Sequence, residues 1–409
     1  MLESSFQNLV AVNCFPDLIV VQLRRFTSSL VEQGYADGTV RWKLKLVTNF
    51  VRWLKRSRLA VADLDESLMK AFLKCKHRKR RGGLRTLQQF LDHLRRQNVI
   101  PARKLPCDRS PLAHLLNQYE THLRTERGLV AHTILEYQNF VRKFLLERFR
   151  GRPLLLKAVK ASDISDFVLR YTRGREVKRG PLMTTAFRSF FRFLFQKGKL
   201  RADLAASVPT VANWRLSTVP KYLTPQEVER VLKACDCRTA IGCRDYAILL
   251  LLARLGLRAG EVVGLQLEDI NWRAGEILVR GKGLLHDRMP LPAEVGQALA
   301  SYLSRSRPAC RTRRVFVCTR APRRGFAHPS TLSTIVRRAL ARADLYPPLK
   351  GAHLLRHSLA TSMLRCGATM TEIAEVLRHR ALNSTEIYAK VDFQGLRSLA
   401  HPWPMGGGQ

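Results

Sequence analysis

Residues 243–257 read Cys-Arg-Asp-Tyr-Ala-Ile-Leu-Leu-Leu-Leu-Ala-Arg-Leu-Gly-Leu. A segment this apolar on every side is stable as a helix only when neighbours cover it on every side. It therefore predicts a helix at the centre of a domain. It falls short of the roughly 18 residues of a membrane span, and no other apolar run approaches that length. Its surroundings mix helix and strand signals. Thr224-Pro-Gln-Glu227 is a capping box, with Thr as the cap, Pro at the first helical position and Glu reaching back. Residues 276–280 alternate like a strand, Gly281-Lys-Gly283 makes a turn, and residues 288–291 return, with Pro290 marking an edge or strand end. Helices are predicted near 329–343, 353–366 and 370–377, with Gly367 as a C-cap glycine.

Upstream the pattern is helical and repeats itself. Tyr35-Ala-Asp-Gly-Thr39, followed by Leu46, Phe50 and Trp53, recurs near Val130-Ala-His-Thr133, followed by Phe140 and Phe144. Later positions align at a shift of 100: Asp63-Leu64 with Asp163-Ile164, Leu87, Phe90, Leu91 and Leu94 with Phe187, Phe190, Phe191 and Leu194, and Ile100 with Leu200. Apolar residues three and four apart make one stripe on a helix, so each copy predicts a small all-helical unit. Proline-rich joints lie at 101–111 and 205–220.

Lys and Arg total 71 against 32 acidic residues, a net charge of +39. That surplus calls for a polyanionic partner, with nucleic acid ahead of an anionic membrane. Two basic runs occupy matching places in the copies: Lys74, Lys76, Arg78, Lys79, Arg80 and Arg81 in the first, and Arg173, Arg175, Lys178 and Arg179 in the second. Each could be a solvated face; their equivalence favours contacts to a phosphate backbone. The nine cysteines include Cys235, Cys237 and Cys243 close together, but their spacing fits no paired zinc site. Met1-Leu-Glu-Ser-Ser5 lacks the basic start of a signal peptide, so the expected compartment is cytoplasmic, in association with the nucleoid.

Five features in the last part of the chain carry chemistry. They are Gly256-Leu-Arg258-Ala-Gly-Glu261, Lys282 in the hairpin turn, His353-Leu-Leu-Arg356-His357, Leu377-Arg-His379, and Tyr388 at the end of Ser384-Thr-Glu-Ile-Tyr388. Singly, each has a plain explanation. Arg258 could pair with Glu261, Lys282 could be an exposed turn residue, His379 could cap a helix, and Tyr388 could be a core aromatic. His353 and His357 lie four apart, but a zinc hydrolase's Glu is missing and Arg356 repels a divalent ion, so no metal is expected.

In order, with their flanks from about 221 to 391, these features resemble the catalytic domain of the tyrosine recombinase (phage integrase) family. The helical copy at about 109–208 resembles that family's core DNA-binding domain, and the first copy resembles a second such domain. The resemblance implies a multidomain, mainly α chain: two helical DNA-binding units (1–105 and 109–208), a mixed α+β catalytic domain (220–401) and a flexible tail (402–409). It implies a site-specific recombinase of integrase, transposase or resolving type that cuts and rejoins double-stranded DNA through a 3′-phosphotyrosine, with no cofactor, metal or ATP. Arg258 and Arg356 would clamp the phosphoryl oxygens, and guanidinium geometry suits that task. His379 would add a hydrogen bond, and Tyr388 would attack. His353 would be base or phosphate ligand, Lys282 would protonate the leaving 5′ oxygen, and Glu261 and His357 would support the others. Four protomers would assemble on two DNA sites, with accessory or partner recombinases allowed and no membrane involved. A type IB topoisomerase-like enzyme, a non-catalytic regulator on the same fold and a basic RNA-binding protein are the rivals. Position 378 departs from the pattern: it is Arg where the family commonly has Gly.

Overall fold

The computed structural model describes residues 17–60, 63–75, 82–102, 108, 110–173, 179–211, 219–281, 286–379 and 385–391. The chain divides into two compact units, Lys104–Ser217 and the combination of Met1–Arg103 with Thr218–Gln409.

Among the described residues, the N-terminal part of the second of these contains the helices α1 (Asp17–Glu32), α2 (Asp37–Arg56), α3 (Glu66–Lys74) and α4 (Gly83–Arg96). Asp65 caps α3, its carboxylate accepting the Ser67 and Leu68 backbone N–H groups at 2.9 Å each. Leu87, Phe90, Leu91 and Leu94 place the apolar stripe of α4 in the core, where Phe90 meets Phe26 edge-on. Arg95 on α4 grips Glu66 on α3 with both guanidinium arms, at 2.9 and 3.1 Å.

Among the described residues, Lys104–Ser217 holds the α-helices α5 (Pro111–Thr125), α6 (Ala131–Phe149), α7 (Ala161–Thr172) and α8 (Gly180–Gln196). Ser110 caps α5 through its hydroxyl to the Ala113 N–H at 3.1 Å. Within each set the first helix packs on the second and fourth, and the fourth also packs on the second and third. The repeat positions are equivalent in burial too: Phe187, Phe190, Phe191 and Leu194 fill this core as their counterparts fill the other.

The remaining segment is built around α10 (Ala240–Arg254), the helix expected from the apolar run. Ile248 to Leu252 are wholly buried, and α10 packs against α9 (Pro225–Lys233), α11 (Ala259–Gly264), α12 (Ala293–Ser301), α13 (Ser330–Arg342) and α14 (Ala352–Arg365). Thr224 and Glu227 form the expected capping box at α9. Strands β1 (Ile270–Asn271), β2 (Glu276–Arg280) and β3 (His286–Pro290) make one antiparallel sheet in that order, with Arg280 opposite His286 and Glu276 opposite Pro290. Ile277 and Val279 point into the core, while β3 is an edge strand with Pro290 at its end. The two-residue β1 carried no sequence signal. α15 (Met370–Val376) follows the left-handed Gly367, and a 3-10 turn spans Glu386–Val391.

Contacts join the N-terminal helices to the C-terminal segment within their shared compact unit. Arg311 pairs with Glu32 at 2.7 Å, and the Arg323 N–H donates to the Gln33 carbonyl at 2.8 Å. Gly34 adopts φ +78°, and a Cβ there would come within 2.4 Å of the Arg323 side chain, so only glycine allows this approach. Among the described residues no helix is long and apolar enough to cross a membrane. Cys235 and Cys243 are buried and Cys237 is exposed; the Cys243 thiol donates to the Cys237 carbonyl.

Candidate active site

The site begins where α10 ends. Gly256 takes φ +57°, and a Cβ there would lie 2.7 Å from Leu377 and 3.0 Å from Leu359, so the turn needs glycine on two counts. The turn presents Arg258, which opens α11. Its backbone N–H donates to Glu261 Oε2 at 2.8 Å and its Nη1 to Oε1 at 2.8 Å. The pairing expected as Arg258's plain explanation is therefore present, and its side chain is still 39% exposed.

Arg356 lies on the buried face of α14 at 4% exposure. One arm donates to the Gly256 carbonyl and the other to the Leu377 carbonyl. Arg258 Nη2 in turn donates to the Arg378 carbonyl at 3.1 Å. The two arginines thus bracket the turn after α15 that carries His379. Arg378 itself takes φ +53°, which is why glycine suits this position, and its Nη2 donates to Glu261 Oε2 at 2.8 Å. The buried carboxylate of Glu261 therefore serves two guanidiniums. Burial would raise it, but the Arg258 N–H, Arg378 and the Arg258 side chain together hold it below the usual carboxylate range.

The nucleophile candidate closes the group. Tyr388 is 1% exposed and sits in a small separate core with Ala360, Ile373, Leu377 and Val391. Its hydroxyl lies 2.8 Å from His357 Nδ1. His379 Nδ1 lies 2.8 Å from the Thr385 hydroxyl, and the Tyr388 N–H donates to the Thr385 carbonyl at 2.9 Å, so one threonine links the His379 turn to the tyrosine turn. His353, one helical turn before His357, is on the exposed side of α14, with ring centroids 6.5 Å apart.

Charge dominates the electrostatics. Burial, then Arg258 and Arg378, pull Arg356 down to about 10. Burial first, with neighbouring His353 and Arg356, pushes His357 down to about 4. Burial, then Arg356 and Arg258, does the same to His379, also to about 4. Although it reaches the surface, His353 is lowered too, by desolvation first and then by Arg356 and Arg258. Burial pushes the Tyr388 phenol up to about 12, against the pull of Arg356. The imidazoles are neutral at neutral pH.

The structure thus brings together Arg258, Glu261, Arg356, His357, His379 and Tyr388, with His353 at the rim. Lys282 lies outside the described residues. Arg378 stands beside His379 in the sequence with no local sign that its side chain reaches Glu261, and Thr385 carries no motif that marks it. Of the basic runs, Lys76, Arg78, Lys79, Arg80, Arg81, Arg175 and Lys178 lie outside the described residues. Lys74 and Arg173 are exposed at helix ends. Arg179 is paired with Glu136 and lies over the Phe140 ring, which makes it a tie within its helical unit.

Residues 221–395 match the phage integrase family, and residues 116–198 match the phage integrase N-terminal SAM-like domain. A Sinorhizobium fredii protein named integrase/recombinase y4rA is 44% identical over 391 residues, covering 94% of this chain and 95% of that one. Tyrosine recombinase XerD of Mycobacterium tuberculosis is 32% identical over 311 residues, covering 71% of this chain and 98% of XerD. A crystal structure of the XerH site-specific recombinase bound to a palindromic difH substrate, in a post-cleavage complex, shares the fold. Its TM-score is 0.56 at 20% identity, over 73% of this chain and 98% of that one.

Proposed function

The chain belongs to the phage integrase family of tyrosine site-specific recombinases, and on that footing we propose that it breaks and rejoins double-stranded DNA with Tyr388 as the nucleophile. The observation that carries the reading is uncompensated positive charge beside a buried phenol. Arg258 and Arg356 flank the turn that carries His379, and burial first, then the neighbouring guanidiniums, lowers Arg356 and His379. A field of that kind is relieved when an anion enters.

A phosphodiester supplies the anion. Arg258 and Arg356 clamp its non-bridging oxygens, and His379 donates a further hydrogen bond. The Tyr388 oxygen attacks phosphorus as the bond from phosphorus to the 5′ oxygen breaks. The phenol proton passes to the imidazole it touches, His357, and the 5′ oxygen takes a proton from Lys282. One phosphorus–oxygen bond forms as another breaks, so the 3′-phosphotyrosine conserves the energy, and a second 5′ hydroxyl reverses the step. Burial holds His357 low, with His353 and Arg356 adding to it, and it is the imidazole within hydrogen-bond reach of the phenol. His353 keeps the other role the sequence allowed it, that of phosphate ligand. Attack requires the Glu386–Val391 turn to carry the phenol out of its small core.

Residues 1–105 and 109–208 would be DNA-binding units whose basic runs follow the backbone, and 220–401 the catalytic domain. Four protomers would act on two DNA sites, with accessory or partner recombinases joining where the sites demand it. The test is covalent capture. A duplex carrying the ends of the element that encodes the chain is nicked just beyond the cleavage point, and wild type and Tyr388→Phe are incubated with it in EDTA. A protease-sensitive adduct from wild type alone is expected; an adduct that persists in the Phe variant overturns the assignment.

A further inference from the structure

Arg378 occupies a backbone state that a side chain rarely adopts, φ +53° at the turn closing α15. The side chain is only 9% exposed and reaches three pieces of the fold. Its Nη2 donates to Glu261 Oε2 at 2.8 Å, at the start of α11. Its Nη1 donates to the Val376 carbonyl at 3.3 Å and lies against the Met289 sulfur. Its Nε is buried, has no hydrogen-bond partner among the described residues and faces the Asp287 carboxylate at 4.0 Å. Asp287 and Met289 both belong to β3.

These contacts are unequal in what they add. Glu261 already holds Arg258 through its backbone and side chain, so the clamp has its own fixing. β2 is anchored by the buried Ile277 and Val279 and by the Arg280–Asp269 pair at 2.6 Å. β3 is an edge strand, with half-buried or exposed residues throughout. Arg378 supplies a charged tie from the catalytic turn to that strand.

We propose that Arg378 is a positioning residue that sets the β2–β3 hairpin against the Arg258–Glu261 clamp, and so aligns proton delivery to the leaving oxygen by Lys282, which lies between these strands in the sequence. The proposal rests on the catalytic reading above. It gives a reason for a side chain at a backbone state that favours glycine. Removing the side chain should harm protonation of the leaving group while sparing the phosphate clamp.

The test uses the full chain and the nicked duplex described above in two forms, one ordinary and one with sulfur in place of the bridging 5′ oxygen. A thiolate leaves without a proton donor, so the second form needs no general acid. Arg378→Gly relieves the backbone but removes one of the two guanidiniums on Glu261, so rates are compared below the melting temperature of the variant. It should form the adduct about 10²-fold more slowly on ordinary DNA, a loss of the size a general acid carries, and at the wild-type rate on the sulfur-bridged DNA. Arg378→Lys should recover part of the loss. Equal slowing on both duplexes would mean that Arg378 acts through the clamp, and no slowing would make it structural only; either overturns the proposal. Lys282→Ala is the control. If it is not rescued by the sulfur bridge, or if wild type forms no adduct, the catalytic reading fails and the proposal falls with it.

Discussion

The Tyr388 hydroxyl rests on Nδ1 of His357 at 2.8 Å, and the two rings meet edge-on with centroids 5.6 Å apart. The contact joins α14 to the tyrosine turn and buries the phenol. With Tyr388 pushed up to about 12 and His357 down to about 4, the phenol keeps its proton and donates it in the hydrogen bond. Tyr388→Phe should remove that one bond and little else. Its unfolding free energy should fall by about 1 kcal/mol and its DNA affinity should be unchanged, while adduct formation is abolished. Denaturant unfolding and a binding titration check this; a large loss of stability would mean that the hydroxyl is structural.

Acid should loosen the site. His357 and His379 titrate near 4 in the folded chain and near 6.5 when unfolded, so between those values the unfolded chain binds more protons. Their contribution is complete above pH 6.5 and is lost as the pH falls through the window toward 4. Melting temperatures measured from pH 7.5 to 4.5 should fall less steeply for His357→Gln and His379→Gln than for wild type. Identical slopes would show that these rings are not the acid-sensitive groups.

Gly256→Ala and Gly275→Ala form a matched pair. Both glycines have positive φ, but a Cβ at Gly275 meets nothing within 4 Å, whereas one at Gly256 strikes Leu377. Gly275→Ala should cost about 1–2 kcal/mol from backbone strain alone. Gly256→Ala should add about 1–3 kcal/mol of overpacking and slow adduct formation, because Leu377 precedes the His379 turn. Urea unfolding that ranks the two in the opposite order would reject this account of the turn.

Arg356 and Arg258 should separate stability from activity. Arg356→Lys keeps a charge, but one ammonium cannot serve both the Gly256 and Leu377 carbonyls. The abandoned group should cost about 1–3 kcal/mol, along with activity. Arg258 is far more exposed, so Arg258→Lys should lose adduct formation with a smaller change in stability. Parallel unfolding and capture assays distinguish the two.

DNA affinity should depend on the basic runs unevenly. Replacing Lys79, Arg80 and Arg81 with Ala should flatten the plot of log affinity against log salt by about 0.9 for each phosphate that is no longer neutralised. Arg179→Ala should flatten it less, because Arg179 is already held by Glu136 and the Phe140 ring. Equal effects would place Arg179 on the DNA as well.

Features of this protein that depend on near neighbours are legible in its residues. A run apolar on all sides had to become the central helix α10. Thr224 and Glu227, three apart, had to cap α9, and the alternation at Glu276–Arg280 had to make a strand with Pro290 at the end of its partner. The order of Arg258, Arg356, His379 and Tyr388 was enough to suggest the chemistry. Which remote partners meet depends on packing. His353 and His357 differ by one helical turn, and only the packing of a segment 31 positions away gives the phenol to His357. Arg378 reaches Glu261 across 117 positions, and the N-terminal helices meet Arg311 and Arg323 far along the chain. Periodicity and capping are written within a few residues because backbone hydrogen bonds and side-chain stripes repeat at that distance. Contacts between remote side chains depend on how whole elements pack, which no local pattern encodes.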